Sequence, residues 1–464
     1  MRTHLAPLGL KELPEAPRLK KLIGPSFIIL GLGLGSGEIV LWPYLASNYG
    51  LGMVWGMLIG ITMQFFINME VERYALINGE SIFVGFARMW RWLPAWFIFS
   101  TFTAWVWPGI GLGGATLLAA LFGIESTRFI GIVVFLLIGC ILSIGKVLYQ
   151  TVETLQKYLI SIGVPFIVLL TLYLVSAQDV VALAKGLVGI GDGFFFLPIG
   201  IVIGQFLGAV AYAGAGGNLN LAQSFYVRDK GYGMGKYADK ITSILTAKEE
   251  VKSFSLTGNT FPATQENLRR FRTWWKAINL EHLMIFWGLG LFTMLTLSLL
   301  AYTTTFGMPG NESIQFVVNE AYAIGLRTIP IFGLLFLAVT GIMLCATQLT
   351  VLDSTSRIMT ENALLLAKGE KFPVSRVYYI ILWSQILFGM AIFILGFDQP
   401  LTLIILGAIL NAFSMFVYCG LLLFLNNRYL APELRPALWR NIVLGGTFLF
   451  FGIFCTLTAA EKLL

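Results

Sequence analysis

Histidine and cysteine are scarce, with two and four copies in 464 residues. His4 precedes every apolar segment, His282 opens one, and Cys140, Cys345, Cys419 and Cys455 each stand alone inside an apolar run. That spacing excludes a disulfide framework and a zinc-type cluster. It also leaves no Ser/His/Asp arrangement and no paired catalytic carboxylates, so no enzymatic activity and no cofactor are expected. Charge is equally thin at 12% of residues, against roughly 25% in soluble domains.

What is present points to lipid. The chain is 57% hydrophobic and 14% aromatic, with a mean hydropathy of +0.81. About 20 apolar residues cross a bilayer. On that rule eleven segments span it: 24–47, 52–73, 93–122, 128–147, 157–176, 196–224, 280–303, 329–353, 374–396, 400–425 and 440–460. The net charge of +7 is explained by topology rather than by nucleic acid. With a cytoplasmic N-terminus, 27 of the 31 Lys and Arg fall inside, leaving Arg128, Lys185, Arg327 and Lys462 outside. Basic loops stay cytoplasmic, so the C-terminus is expected outside.

The basic arm (Arg2, Lys11, Arg18, Lys20, Lys21) has no short apolar core followed by a small-residue cleavage site, and reads as retained. Ten basic residues, including Arg269, Arg270 and Arg272, lie in the largest cytoplasmic loop, 225–279. They read first as a topology anchor and second as a lipid-headgroup patch. Asn311-Glu-Ser313 matches a glycosylation sequon, a pattern usually met by chance.

Two apolar segments are broken by glycine: Gly31-Leu-Gly-Leu-Gly-Ser-Gly-Glu38 in the first and Ala213-Gly-Ala-Gly-Gly-Asn218 in the sixth. A helix-interior glycine costs about 1 kcal/mol relative to alanine. Unpaired backbone groups in hydrocarbon cost more, so such breaks persist only where they line a cavity. Matching breaks in two halves of a membrane chain point to an inverted-repeat secondary transporter with its site at the midplane. Channels build filters from repeated pore elements, which these segments do not resemble.

The expected organisation is therefore an arm (1–23), helices one to five (24–176), an extracellular connection (177–195), helix six (196–224), the basic loop (225–279), helices seven to ten (280–425) and an eleventh helix as appendage (426–464). The fold class is all-α, a five-plus-five inverted repeat with helices one and six discontinuous. The expected setting is a prokaryotic inner membrane. The expected partners are lipid and a small ion or molecule, with coupling to H+ or Na+ open and nucleic acid excluded.

Gly24-Pro25 before the first break, Gly214–Val227, Gln348-Leu-Thr350 and Leu425-Asn-Asn-Arg428 resemble the Nramp family of proton-coupled divalent-metal transporters, within the wider amino acid–polyamine–organocation superfamily of LeuT-like fold. In that family the first break reads Asp-Pro-Gly-Asn, with metal-binding Asp and Asn. By offset those positions are Gly35, Ser36, Gly37 and Glu38 here. The family's carbonyl, methionine and Pro-His pair in helix six correspond to Ala213, Gly216 and Gly217-Asn218. The family's acidic pair in helix three is replaced by Trp107–Gly114. The resemblance thus implies a divergent branch. Loss of the thioether removes the preference for manganese or iron.

Candidate substrate residues are Gly35, Ser36, Gly37, Glu38, Tyr212, Ala213, Gly216, Gly217, Asn218, Asn220, Gln223 and Asn411. Glu38 and Asn218 are the candidate metal ligands. An intramembrane acid is costly and hence a functional candidate; Glu38 would hold a cation, carry a proton, or simply bond a freed amide. Amide and carbonyl oxygens suit a hard cation such as magnesium. Alternatively, glycine amides at a half-helix N-terminus suit the carboxylate of an amino acid or carboxylic acid. Glu70 with Arg73, and Asp353 with Arg357, are spaced for ion pairs on one helix face and read either as gates or as interfacial helix ends.

Overall fold

The computed structural model describes residues 5–17, 22, 24–144, 148–238, 256–367 and 374–463. His4, Arg2, Arg18, Lys20 and Lys21 of the arm, with Lys146, Lys240, Lys248, Lys252, Lys368 and Lys371, lie outside the described residues, as does the side chain of Lys462.

Among the described residues, eighteen α-helices follow a two-residue strand, β1 (Gly9–Leu10). The first half holds α1 (Pro25–Gly33), a π-helical turn (Ser36–Leu41), α2 (Trp42–Tyr49), α3 (Trp55–Asn78), α4 (Ile82–Met89), α5 (Leu93–Trp105), α6 (Gly109–Phe122), α7 (Thr127–Ile144) and α8 (Leu148–Leu174). Next come α9 (Ala177–Gly186), α10 (Ile203–Ala211), α11 (Leu219–Lys230) and strand β2 (Asn259–Thr260). The rest is α12 (Gln265–His282), a π-helical turn (Leu283–Leu289), α13 (Gly290–Thr305), α14 (Gln315–Arg327), α15 (Pro330–Leu366), α16 (Val374–Ile394), α17 (Pro400–Arg428) and α18 (Leu438–Leu463).

Proline starts several of these helices. α1, α2, α5, α15 and α17 each carry it in the first turn, where its missing N–H is not needed. Ten helical runs among the described residues are long and apolar enough to cross a membrane, making this a multi-pass integral membrane protein. The sixth expected segment is present as α10 and α11, nine and twelve residues, each too short alone. Burial sorts the spans. The most apolar stretch of Pro25–Tyr49 is 94% buried, that of Leu438–Glu461 only 22%. The first span is thus enclosed by the others, and α18 lies outside, packed mainly on α17.

Three features differ from the sequence reading. Segment 93–122 is interrupted between α5 and α6, because Pro108 pushes Trp107 out of helical geometry. The basic loop contains α12: Thr264 caps it by accepting from Asn267 N at 3.3 Å, and Glu266 pairs with Arg269 and Arg270 one turn on. Charges read as loop therefore satisfy one another on a helix face. Finally, α15 runs past the expected end to Leu366, so Asp353 and Arg357 are interior residues.

The arm is strapped across one face of the bundle. β1 pairs in parallel with β2, Leu13 N donates to Asn267 Oδ1 at 3.2 Å, and Trp274 Nε1 donates to Pro14 O at 2.8 Å. On the opposite face, α14 and its flanking turns form a cap. Asn311 is buried there with its amide donating to Thr305 O at 2.7 Å, so the sequon nitrogen is occupied.

Candidate functional site

The two glycine breaks touch. A methyl group on Gly33 would lie 3.1 Å from the Gly214 backbone, and one on Gly37 would overlap Tyr212 O. The missing side chains of Gly33 and Gly37 permit this approach. In the second break Gly216 and Gly217 take φ of 75° and 48°, a region that side chains rarely enter. Every residue from Leu34 to Leu41 and from Tyr212 to Asn218 is buried.

Backbone groups released by the breaks are satisfied from neighbouring helices. Gln64 of α3 donates to Ala211 O at 3.1 Å and accepts from Gly216 N at 3.0 Å. Thr347 of α15 donates to Gly31 O at 3.1 Å, and at the separate interruption before α6 Gln348 Oε1 accepts from Gly111 N at 3.0 Å. None of these three was a substrate candidate. Gln64 was nevertheless visible as an amide within an apolar span.

Glu38 turns toward α13. Its Oε2 accepts from the Thr293 hydroxyl, while Oε1 has no partner among the described residues and faces the space left by Gly290. Tyr212 stacks on Trp105 at 5.3 Å and receives Asn411 Nδ2 at 3.0 Å. Gly217 makes room for the Asn411 amide, since a methyl group there would overlap Oδ1. Asn218 donates to Ser100 at 2.8 Å and Thr101 at 2.9 Å, Asn220 to Tyr418 at 3.0 Å, and Gln223 to Glu72 at 2.5 Å. The second amide atom of each of these residues is buried without a partner among the described residues.

The candidates therefore fall into groups. Gly35, Ser36, Gly37, Glu38, Tyr212, Ala213, Gly216, Gly217 and Asn411 surround the crossing of the breaks. Asn218 faces α5, Asn220 faces α17, and Gln223 lies farther along α11 beside α3. Glu38 and Asn218 bond to different helices, α13 and α5. Among the described residues no group of three or more His, Cys, Asp or Glu is arranged to hold a metal ion.

The charged candidates are buried. Arg73 binds Glu70 at 2.6 Å, and Arg440 of α18 reaches the same carboxylate at 3.1 Å. Asp353 and Arg357 pair at 3.0 Å and extend to Asp229 of α11, 2.8 Å from Arg357 Nη1, and to the Tyr378 hydroxyl at 2.7 Å. Arg228 of α11 pairs with Glu361 of α15 at 2.9 Å, and Glu361 also accepts from Ser81. The second half of the broken sixth helix is thus tied to α15 by two ion pairs.

No family profile and no curated protein matches the sequence. Among solved structures, the fold is similar to that of a manganese transporter from Eremococcus coleocola. One variant of that protein gives a TM-score of 0.68 at 13% identity, covering 98% of this chain and 90% of that one. Its complex with an aromatic bis-isothiourea substituted compound gives 0.64 over the same shares. MhsT in complex with L-phenylalanine gives 0.50 at 14% identity, covering 97% and 99%. The likeness shows the fold: an all-α, LeuT-like membrane protein with interrupted first and sixth helices.

Proposed function

We propose that this protein is a secondary active transporter that holds a small polar organic solute, an amino acid or carboxylic acid, between its two broken helices. The observation that carries the reading is the contact of the breaks, Gly33 against Gly214 and Gly37 against Tyr212, at the buried centre of the bundle. An interrupted helix at membrane depth is stable only beside a cavity or a polar partner. Here the break from Leu34 to Gly35 opens a half-helix whose first N–H groups, from Ser36, Gly37 and Glu38, suit a carboxylate. Tyr212 and Trp105 supply an aromatic wall.

Magnesium is the second reading, favoured by the oxygens of Glu38 and Asn411 that have no partner among the described residues and by the resemblance to metal transporters. Manganese and iron fit less well, because neither thioether nor imidazole stands at the breaks. In this reading the arm face is cytoplasmic, and the Arg357–Asp229 and Arg228–Glu361 pairs form the inner gate.

Isothermal titration of the purified protein with amino and carboxylic acids, magnesium and manganese tests both readings. Heats from an organic ligand, weakened in Gly37→Ala, support the first. Magnesium heats lost in Glu38→Gln support the second. Tight manganese binding overturns the argument from the missing sulfur.

A further inference from the structure

Four elements bring polar side chains into a buried cluster between the breaks and the arm face. Ser26 of α1 donates its hydroxyl to Glu281 Oε2 of α12 and lies 2.8 Å from His282 Nδ1. Glu72 of α3 receives Gln223 Nε2 of α11 at 2.5 Å and sits 3.6 Å from His282 Nδ1. Each of these five residues is at most 4% exposed. Asn68, one turn before Glu72, is fully buried, and both of its amide atoms lack a partner among the described residues. Gln223 Oε1 and Glu281 Oε1 also lack one.

With Glu281 ionised, the Ser26 proton goes to that carboxylate and the Ser26 oxygen is left to accept from His282 Nδ1–H. The lone pair then sits on Nε2, which is unpartnered among the described residues, with the ring stacked near Phe65 and Phe286 at 5.6 and 4.7 Å. A charged imidazole would need an acceptor at Nε2. This environment favours the neutral ring, which compensates neither carboxylate.

Among the described residues no Lys or Arg lies within ion-pair distance of Glu72 or Glu281. The nearby charged groups are Lys230 of α11 and Lys157 of α8, both held by Glu153 at 3.0 and 2.5 Å. The Tyr232 hydroxyl, also beside the cluster, donates to Leu22 O. Two neighbouring buried carboxylates, with no cation in ion-pair contact among the described residues, disfavour double ionisation.

We propose that Glu72 and Glu281 form a one-proton site and that its proton is the ion coupled to transport. This rests on the transporter reading above and goes on to name the ion and its place. Uptake takes one proton from water and forms one O–H bond on one carboxylate; release returns it to water, and no other bond changes. With the proton present the pair carries a single negative charge. Without it two anions repel across Ser26 and Gln223, which belong to the inner halves of the two broken helices. Proton occupancy therefore biases α1 and α11, the segments that border the substrate, and linkage makes the bias reciprocal.

The test uses full-length protein. Infrared difference spectra in nanodiscs, recorded as pH is stepped, should show a buried carboxyl C=O band that is lost in Glu72→Gln or Glu281→Gln and kept in Glu38→Gln. Where a Gln variant does not fold, the corresponding Asp variant should shift the band instead. In liposomes loaded with a pH dye, uptake of magnesium, manganese or L-amino acid probes by the wild type should bring protons in. Glu281→Gln should keep downhill uptake and lose the proton signal. Identical carboxyl bands in wild type and both variants, or wild-type uptake without proton movement, overturn the proposal. If the wild type takes up no probe, the transporter reading and the coupling role fall together, and the infrared result alone decides the proton site.

Discussion

The Gln64 side chain accepts from Gly216 N at 3.0 Å while its amide donates to the carbonyl of Ala211 at 3.1 Å. One residue of the unbroken α3 thus stands in for the helical bonds that the second break gives up. Its value lies in what its loss exposes, since a buried backbone group without a partner costs about 1–3 kcal/mol.

Gln64→Leu should lower stability by about 2–5 kcal/mol through these orphaned groups. Thermal unfolding in detergent reads the loss. A melting point equal to that of the wild type would show that the break finds other partners.

Gly37→Ala should separate the two breaks and weaken ligand heats, because the added methyl meets the Tyr212 carbonyl. Gly445→Ala on α18, where nothing lies within 4 Å, is the control. It should stabilise by about 0.5–1 kcal/mol through helix propensity and leave binding unchanged.

Arg357→Leu strands the carboxylates of Asp353 and Asp229 and should cost about 3–5 kcal/mol. Asp229→Asn keeps the shape and weakens only the link from α11 to α15. Hydrogen exchange of α11 should then quicken while the melting point moves little. Unchanged exchange would remove the gate assignment from this pair.

Glu320 of α14, in the cap, is 2% exposed, and burial holds its carboxyl well above the usual range. The folded state therefore binds this proton more tightly than the unfolded state does. Its contribution to stability is complete below the unfolded value of about 4.3 and is lost as pH rises through the folded value. Melting points measured against pH should fall along that window in the wild type, and Glu320→Gln should flatten the slope. Equal slopes would place the pH dependence elsewhere.

The all-α membrane fold and the broken first and sixth helices were legible because apolar length and glycine clusters are local signals. The interruption before Gly109 was equally local, in Trp107-Pro108, yet it was masked by the apolar residues on both sides. Thr293 and Trp105 gave little warning, because their roles depend on which helix is packed beside them. The buried position of Glu70, Arg73, Asp353 and Arg357 was hidden for a related reason. Charges near an expected helix end look solvated until partners such as Arg440 and Asp229 arrive from distant segments.

The pairing of Gly9 and Leu10 with Asn259 and Thr260 also has a consequence for biosynthesis. The arm leaves the ribosome before its partner strand, which is made about 250 residues later, after six spans have been synthesised. At a chain growth of about 5–20 residues per second, the arm waits some tens of seconds without its partner. The two-residue ladder is thus a late event in assembly, and a nascent chain halted before residue 259 should leave the arm open to protease.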